Sequence, residues 1–121
     1  MIARAGFTVA REDELERTGG WSLVRRTLGL EAFGCNVVEI EPGATIPEHD
    51  EVERDQEELF VVLEGEAALV IDGEDHPAPA GTYARVAPQH RRTVRNTGAG
   101  PARVLIASAP RTSGYEPMGW A

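Results

Sequence analysis

The chain has 121 residues and a net charge of −8, and its length predicts one domain with a single closed core. No apolar run approaches the roughly 20 residues that span a bilayer, which argues against membrane insertion. Nucleic-acid backbones select clustered positive charge, so scattered arginines in an acidic chain argue against a nucleic-acid role. Residues 1–8 lack a signal-peptide pattern, and we therefore expect a cytoplasmic protein.

Two composition features exclude particular chemistries. All twelve basic residues are Arg and none is Lys, which excludes a Schiff base on lysine. The single cysteine, Cys35, has no partner for an internal disulfide. Because Cys35 lies in an apolar strand pattern, we expect a buried and unreactive thiol rather than a nucleophile.

The first part of the chain is predicted to form an arm followed by two strands. Within the arm, residues 1–20, the charges of Glu12–Arg17 favour a single helical turn. From Trp21 the apolar period becomes two, which predicts strands over Trp21–Thr27 and Glu31–Glu41. Apolar residues occupy both faces at Cys35–Val38, so we expect the N-terminal strand or a partner to cover the outer face.

The second half of the chain carries a regular series of short strands. They are predicted over Leu59–Leu63, Ala67–Ile71, Glu74–Pro79, Tyr83–Val86, Arg92–Arg95 and Ala102–Ser108. Asp72-Gly73 predicts a tight hairpin because both of its turn positions need positive φ. Pro77 and Pro79 suit only an edge strand. About nine or ten strands with almost no helix predict an all-β sandwich or barrel over residues 21–109.

The C-terminal tail, residues 110–121, is irregular but carries large apolar side chains. Tyr115, Met118 and Trp120 would be unstable in water, so we expect the tail to pack across the barrel or onto a second subunit.

The spacing in Gly43–Gly65 points to a family. Gly43 is followed by five residues and then His49, and Glu58 lies six residues before Gly65. This resembles the first motif of the cupin superfamily, Gly-x5-His-x-His-x3–4-Glu-x6-Gly, and the likeness extends over about residues 34–109. The resemblance implies a small single-domain, type-2-like cupin with the jelly-roll barrel of that family, a double-stranded β-helix.

The chain departs from the family pattern at three places. Glu51 stands where the second histidine belongs, and the gap from Glu51 to Glu58 is longer, which predicts an extended loop at Val52–Glu57. Arg92 stands where the second motif has its histidine. In metal-binding cupins, three histidines and one glutamate hold a divalent ion on the barrel axis. Only His49 and Glu58 keep those residue types here, so the metal motif is degenerate.

Strand alternation gathers the polar candidates at one place. Glu58 and Phe60 share a face, and Arg92 is expected to face the same lumen as His49 and Glu51. A few polar groups on apolar walls are typical of a small-molecule site.

Arg92 favours a metal-free function. A guanidinium is always cationic and offers no lone pair to a metal, so it can replace the ion as partner of the glutamates. On this interpretation the protein binds a small, anionic ligand through Arg92, Glu58 and His49, with Glu51 and Phe60 as further ligand-binding residues and with no cofactor. Glu58–Arg92 is equally open to interpretation as a structural ion pair.

The alternative keeps the metal. His49, Glu51, Glu58 and His90 would hold Mn²⁺, Fe²⁺ or Zn²⁺, and Arg92 would hold the substrate. The protein would then be a dioxygenase, isomerase or lyase acting on a small organic acid.

The remaining candidates have simple interpretations. Arg91 and Arg95 are expected on the surface, Tyr83 and Arg85 are expected to face outward or toward a partner, and His76 is expected to be a surface residue with no role. The acidic stretch from Glu48 to Glu58 is either a solvated loop or a mouth that attracts cations. Since cupins commonly pair through their sheets, the resemblance implies a homodimer, with Cys35–Val38 and the tail as candidate contacts.

Overall fold

The structure, a computed structural model, describes residues 1–121 and consists mainly of antiparallel strands. The strands are β1 (Ile2–Arg4), β2 (Phe7–Val9), β3 (Arg17–Thr18), β4 (Trp21–Ser22), β5 (Gly34–Ile40), β6 (Gln56–Glu64), β7 (Glu66–Ile71), β8 (Glu74–Pro79), β9 (Tyr83–Val86), β10 (Arg92–Asn96) and β11 (Ala102–Pro110). A 3-10 helix covers Glu12–Glu14, and one short α-helix, α1, covers Val24–Leu28. With five residues, α1 is too short to span a membrane.

Two sheets form the barrel. The large sheet has the strand order β3-β4-β5-β11-β6-β9, and the small sheet has the order β10-β7-β8. The segment from Gly43 to His49 lies along β10, where Gly43 N donates to Asn96 O at 3.0 Å and Arg92 N donates to His49 O at 2.8 Å. Pro47 lacks an N–H and interrupts regular pairing there. The all-β jelly roll expected from the sequence is confirmed: the two sheets hold nine strands, and β1 and β2 form a separate two-stranded sheet.

The core fills the space between the two sheets. Alternate residues of β5 and β6 point inward, so Val38, Ile40, Phe60 and Val62 are each at most 3% exposed. From the opposite sheet, Val94 is fully buried. Burying side chains of this size stabilises the fold by about 1.5–3 kcal/mol each.

The predicted strand over Trp21–Thr27 is wrong after Ser22. Val24–Leu28 forms α1, which ends at Gly29 in the left-handed conformation (φ 74°), where the Gly29 and Leu30 amides both donate to Arg25 O. Glycine at this position is a common helix stop, and it is the sequence signal that identifies the helix. Helix α1 contacts β5. Strand β5 therefore has a helix of the same chain beside it, in addition to its paired neighbours β4 and β11, and the covering of its outer face by an N-terminal strand or a partner stays a prediction.

The structure confirms the predicted hairpin and the predicted edge strand, but it shortens the predicted loop. The Asp72-Gly73 hairpin is confirmed, with φ of 51° and 81°, and β8 forms an edge of its sheet as its prolines required. The extended loop expected over Val52–Glu57 is shorter, because β6 already begins at Gln56. Asp55, with φ 51°, turns the chain, and Gln56 N donates to Glu51 O at 3.2 Å.

The two ends of the chain differ from expectation. The arm has only a 3-10 turn at Glu12–Glu14, but it also forms the hairpin β1–β2, for which the sequence gave no clear pattern. In the tail, Tyr115, Met118 and Trp120 are 75%, 62% and 81% exposed. The tail therefore does not bury these side chains on its own barrel, and its packing onto a second subunit stays a prediction.

Asn96 joins three chain segments at the end of β10. Its Nδ2 donates to Ile40 O and Gly100 O, both at 2.8 Å, and its Oδ1 accepts from Gly98 N at 2.8 Å. The residue is 1% exposed and its bond to Ile40 O is buried, so water does not replace that bond.

Asn96→Ala should therefore destabilise the fold by about 3 kcal/mol, because it leaves buried carbonyl and amide groups unpaired. Urea unfolding measures the loss. Asn36→Ala is the matched control, since the half-buried Asn36 side chain makes no hydrogen bond within the chain. Equal losses in the two variants would contradict a special role for the Asn96 bonds.

Candidate functional site

The candidate site lies where one row of residues from each sheet meets at the end of the barrel. In the large sheet, Ser108 of β11 pairs with Gly34 on one side and with Glu58 on the other. In the small sheet, Arg92 of β10 is opposite His49. Residues directly opposite one another in an antiparallel pair project to the same face. Glu58 thus meets His49 and Arg92 across the barrel.

His49 is oriented by its own backbone neighbourhood. Its Nδ1 lies 3.0 Å from Pro47 O, and because a carbonyl can only accept, Nδ1 carries the proton. Nε2 then faces two carboxylate oxygens, Glu58 Oε1 at 3.2 Å and Glu51 Oε1 at 3.4 Å. A neutral imidazole has a lone pair on that nitrogen. The arrangement therefore needs a cation at Nε2, either a proton or a metal ion.

Arg92 lies behind Glu58 and is completely buried. Its Nη2 donates to Val86 O at 3.2 Å and Ala87 O at 2.9 Å, and its Nε is 3.5 Å from Glu58 Oε1. Nε and Nη1 have no hydrogen-bond partner within the chain. A buried cation of this kind needs a nearby anion, and Glu58 is the carboxylate that provides it.

The charge state of Glu58 reflects competing effects. Burial raises the pKa of Glu58 above its usual value, while the charges of His49 and Arg92 lower the pKa and the charge of Glu51 raises it. With both glutamates ionised and His49 neutral, the cluster and Arg92 together carry one net negative charge. A divalent ion would change that charge to one net positive.

The donor atoms fit a metal ion by type and by spacing. His49, Glu51 and Glu58 each offer one atom, and these atoms lie within 4.8 Å of one another. Neighbouring ligands on an ion with bonds of about 2.1 Å are about 3.0–3.4 Å apart, depending on geometry. The His49–carboxylate distances of 3.2 and 3.4 Å match that spacing. Three protein ligands with further open positions are typical of catalytic metals.

A cavity of about 240 Å³ opens beside this cluster. His49 and Glu58 are the titratable residues of its wall, and Trp21, Ile46 and Ile106 are the large apolar ones. Its size lies just below the usual range for drug-sized ligands, so it accepts only a small molecule or one end of a larger one.

The predicted site residues fall into two groups. His49, Glu51 and Glu58 converge as expected, with Arg92 touching Glu58. Phe60, expected beside the ligand, is 1% exposed, belongs to the core and does not line the cavity. Arg92 also lies outside the cavity wall.

His90, the expected fourth ligand, is not part of the cluster. Its Nδ1 is 2.5 Å from Asp72 Oδ2, in the hairpin after β7, and the hydrogen bond to His90 is the main reason why the pKa of Asp72 is lowered. The side chain is 44% exposed. The set brought together by the fold therefore contains one histidine and two glutamates.

The residues expected on the surface are exposed or form surface ion pairs, and the single thiol is buried. Tyr83, Arg85 and His76 are exposed as expected. Arg91 and Arg95 form surface ion pairs, with Glu48 and Asp75. Cys35 is 9% exposed, and burial raises the pKa of its thiol, which disfavours the thiolate that a nucleophile needs.

Sequence reasoning missed three contributors to the site. The Pro47 carbonyl sets the tautomer of His49, yet nothing in the residue type of Pro47 signals this role. Trp21 and Ile46 line the cavity from two separate segments. Their inward direction follows from pairing at the edges of the sheets, which apolar periodicity alone does not reveal.

Comparison with known proteins supports the fold. The profile of the Cupin_2 family, described as a cupin domain, matches residues 36–108. A cupin protein from Bacteroides fragilis has a TM-score of 0.78 at 21% identity, over 95% of this chain and 92% of the other. No match is found among curated proteins.

Two further solved structures have names that mention an activity. One, from Silicibacter pomeroyi, is called a sugar phosphate isomerase from a cupin superfamily, with a TM-score of 0.71 at 26% identity over 84% of this chain and 75% of the other. The second, from Thermotoga maritima, is called a predicted oxalate decarboxylase, with a TM-score of 0.71 at 19% identity over 85% and 99%.

Arg92→Met should destabilise the fold by about 3–5 kcal/mol, because it leaves the Glu58 carboxylate buried without its partner. The double variant Glu58→Leu/Arg92→Met should recover most of that loss, since it removes both charges. Chemical denaturation of the protein in chelator measures both.

Arg95→Met is the matched control for that series. Arg95 lies on the same strand but pairs with the exposed Asp75, and its loss should hardly move the unfolding midpoint. A double variant no more stable than Arg92→Met would contradict the buried-pair account.

Proposed function

Because the chain belongs to the Cupin_2 family of cupin domains, we propose that it binds a divalent cation at the end of its barrel and binds a small organic ligand on that cation. His49, Glu51 and Glu58 are the protein ligands. One observation carries the proposal: the His49 proton is held on Nδ1 by Pro47, which leaves Nε2 directed at two carboxylate oxygens.

Arg92 is compatible with such an ion because of where its charge lies. Its guanidinium is anchored to Val86 O and Ala87 O, on the interior side of Glu58. A carboxylate that binds a metal is usually also held by a second group, and Arg92 supplies that group to Glu58. In this proposal Arg92 positions a ligand residue and does not touch the substrate.

The chemistry fits a polarised oxygen on a small substrate. A bound divalent ion acts as a Lewis acid on a carbonyl or hydroxyl oxygen. Trp21, Ile46 and Ile106 limit water around that oxygen, and the cavity of about 240 Å³ limits its substituents. The name of the Silicibacter pomeroyi structure, a sugar phosphate isomerase, supports an oxygen-rich small substrate of this kind.

A metal-free ligand site is the second candidate. The observation that favours it is Arg92, a permanent cation already buried beside Glu58. In that case a proton on Nε2 of His49 takes the place of the ion, and the imidazolium is paired with Glu51 and Glu58. Metal analysis separates the two candidates.

On the metal proposal, protein purified without chelator should contain a first-row divalent metal, and added Mn²⁺ should raise the Tm of stripped protein. At about 100 times the Kd the rise should be about 10 °C, since only the folded state holds the three donors together. His49→Ala and Glu58→Gln should abolish the shift.

The other two histidines are matched controls. His76→Ala and His90→Ala should keep the full shift, because neither residue is in the cluster. Loss of metal in His90→Ala would restore His90 as a fourth ligand. No metal in purified protein, and no shift with Mn²⁺, Fe²⁺ or Zn²⁺, would reject the metal proposal in favour of the metal-free site.

A further inference from the structure

A second depression, here called the arginine groove, adjoins the cavity. It has a volume of about 600 Å³, and Arg25 and Arg54 lie in its wall. The groove and the cavity share the wall residues Gly34, Cys35, Asn36 and Ser108. Since Ser108 pairs directly with Glu58, the groove reaches the same end of the barrel as the candidate cation site.

The charges in the arginine groove are unusual for this chain. Eight of the twelve arginines form an ion pair with a carboxylate. Arg25 and Arg54 are among the four that do not, although the chain carries a net charge of −8. Two unpaired guanidiniums in one concave surface of an acidic protein form a local site for an anion.

The rest of the groove supplies unused polar groups. Asn36, Gln56 and Ser108 line it, and their side chains make no hydrogen bonds within the chain. Arg25 Nη1 donates to Leu30 O at 3.4 Å, which leaves its other donors free. Glu31 is the single carboxylate in the wall, and it pairs with neither arginine, so positive charge predominates.

We propose that the arginine groove binds a terminal oxyanion of the ligand, a phosphate ester or a carboxylate, while the other end of the same molecule enters the cavity beside His49 and Glu58. Arg25 and Arg54 select the anion, and Asn36 and Ser108 lie along the passage between the two ends. The reacting role of the cavity end rests on the proposed function, whereas anion binding in the groove does not.

The test is calorimetric titration of metal-stripped full-length protein with inorganic phosphate and, separately, with succinate. Arg25→Gln/Arg54→Gln should raise the Kd for the bound anion about tenfold or more, because it removes charge-assisted hydrogen bonds. Arg4→Gln/Arg17→Gln is the matched control. It removes two arginines that also lack a carboxylate partner but lie outside the groove, and it should leave the Kd nearly unchanged.

The two anions distinguish the sources of the charge. Tighter binding of phosphate indicates a phosphate ester, tighter binding of succinate indicates a carboxylate, and either result supports the groove. No binding of either anion at tens of millimolar, or equal weakening in the two double variants, would overturn the proposal. Loss of anion binding in His49→Ala would also overturn it, because the anion would then be held in the cavity.

The same proteins separate this inference from the metal proposal. Arg25→Gln/Arg54→Gln should keep the Mn²⁺-induced rise in Tm, and His49→Ala should lose that rise while still binding the anion. A chain that binds anions in the groove but takes up no metal would keep the groove and reject the cation site. A chain that takes up metal but binds anions no better than Arg25→Gln/Arg54→Gln would keep the cation site and reject the arginine groove.

Discussion

The buried pair of Glu58 and Arg92 is the interaction on which the end of the barrel depends. Removing two charges from water is costly, and this pair is held at 3.5 Å with only part of its hydrogen-bonding capacity used. The fold tolerates that cost because both side chains lie on strands whose other inward residues form a well-packed core. The pair thus links the large sheet to the small one at a point where an apolar contact would cost less desolvation free energy.

That pair also determines what His49 can do. Glu58 Oε1 is shared between Arg92 Nε and His49 Nε2. The same oxygen therefore lies beside a permanent cation on one side and, on the other, beside a position where a proton or a metal ion can bind and leave. Arg92 lowers the tendency of Glu58 to take up a proton, while burial raises it. Because burial raises the pKa of Glu58, a cation beside the carboxyl favours its ionised form, whether that cation is Arg92 or one bound at His49 Nε2.

Much of the barrel follows from local patterns in the chain. The alternation of Glu58, Phe60 and Val62 predicts their common inward face, and Asp72-Gly73 predicts its turn, because each signal depends on neighbouring residues only. The sequence predicted a strand in place of the helix at Val24–Leu28 because the alternate apolar residues Trp21 and Leu23, just before it, follow the two-residue period of a strand. Gly29 is the signal that marks the end of the helix.

The finer geometry of the site depends on distant segments. The Pro47 carbonyl that fixes the tautomer of His49, and the position of Arg92 behind Glu58 instead of on the cavity wall, come from packing between the sheets. Residue type and spacing predict that these groups share one lumen, but they do not predict which of the groups are in contact with one another. The arginine groove is a similar case, since Arg25 and Arg54 belong to a helix and a loop that meet only in the folded chain.

The opposition of His49 and Arg92 has a consequence for folding as well as for binding. His49 and Arg92 are widely separated along the chain but pair on the small-sheet side, and Glu58 faces them from the large sheet, so the complete cluster forms only when the two sheets have closed. Anything bound between His49 and Glu58 would add its affinity to the native state alone and would have to leave before the sheets could part. A ligand bound at this site would therefore slow unfolding. The end of the barrel that binds the ligand would then also determine how long the molecule stays folded.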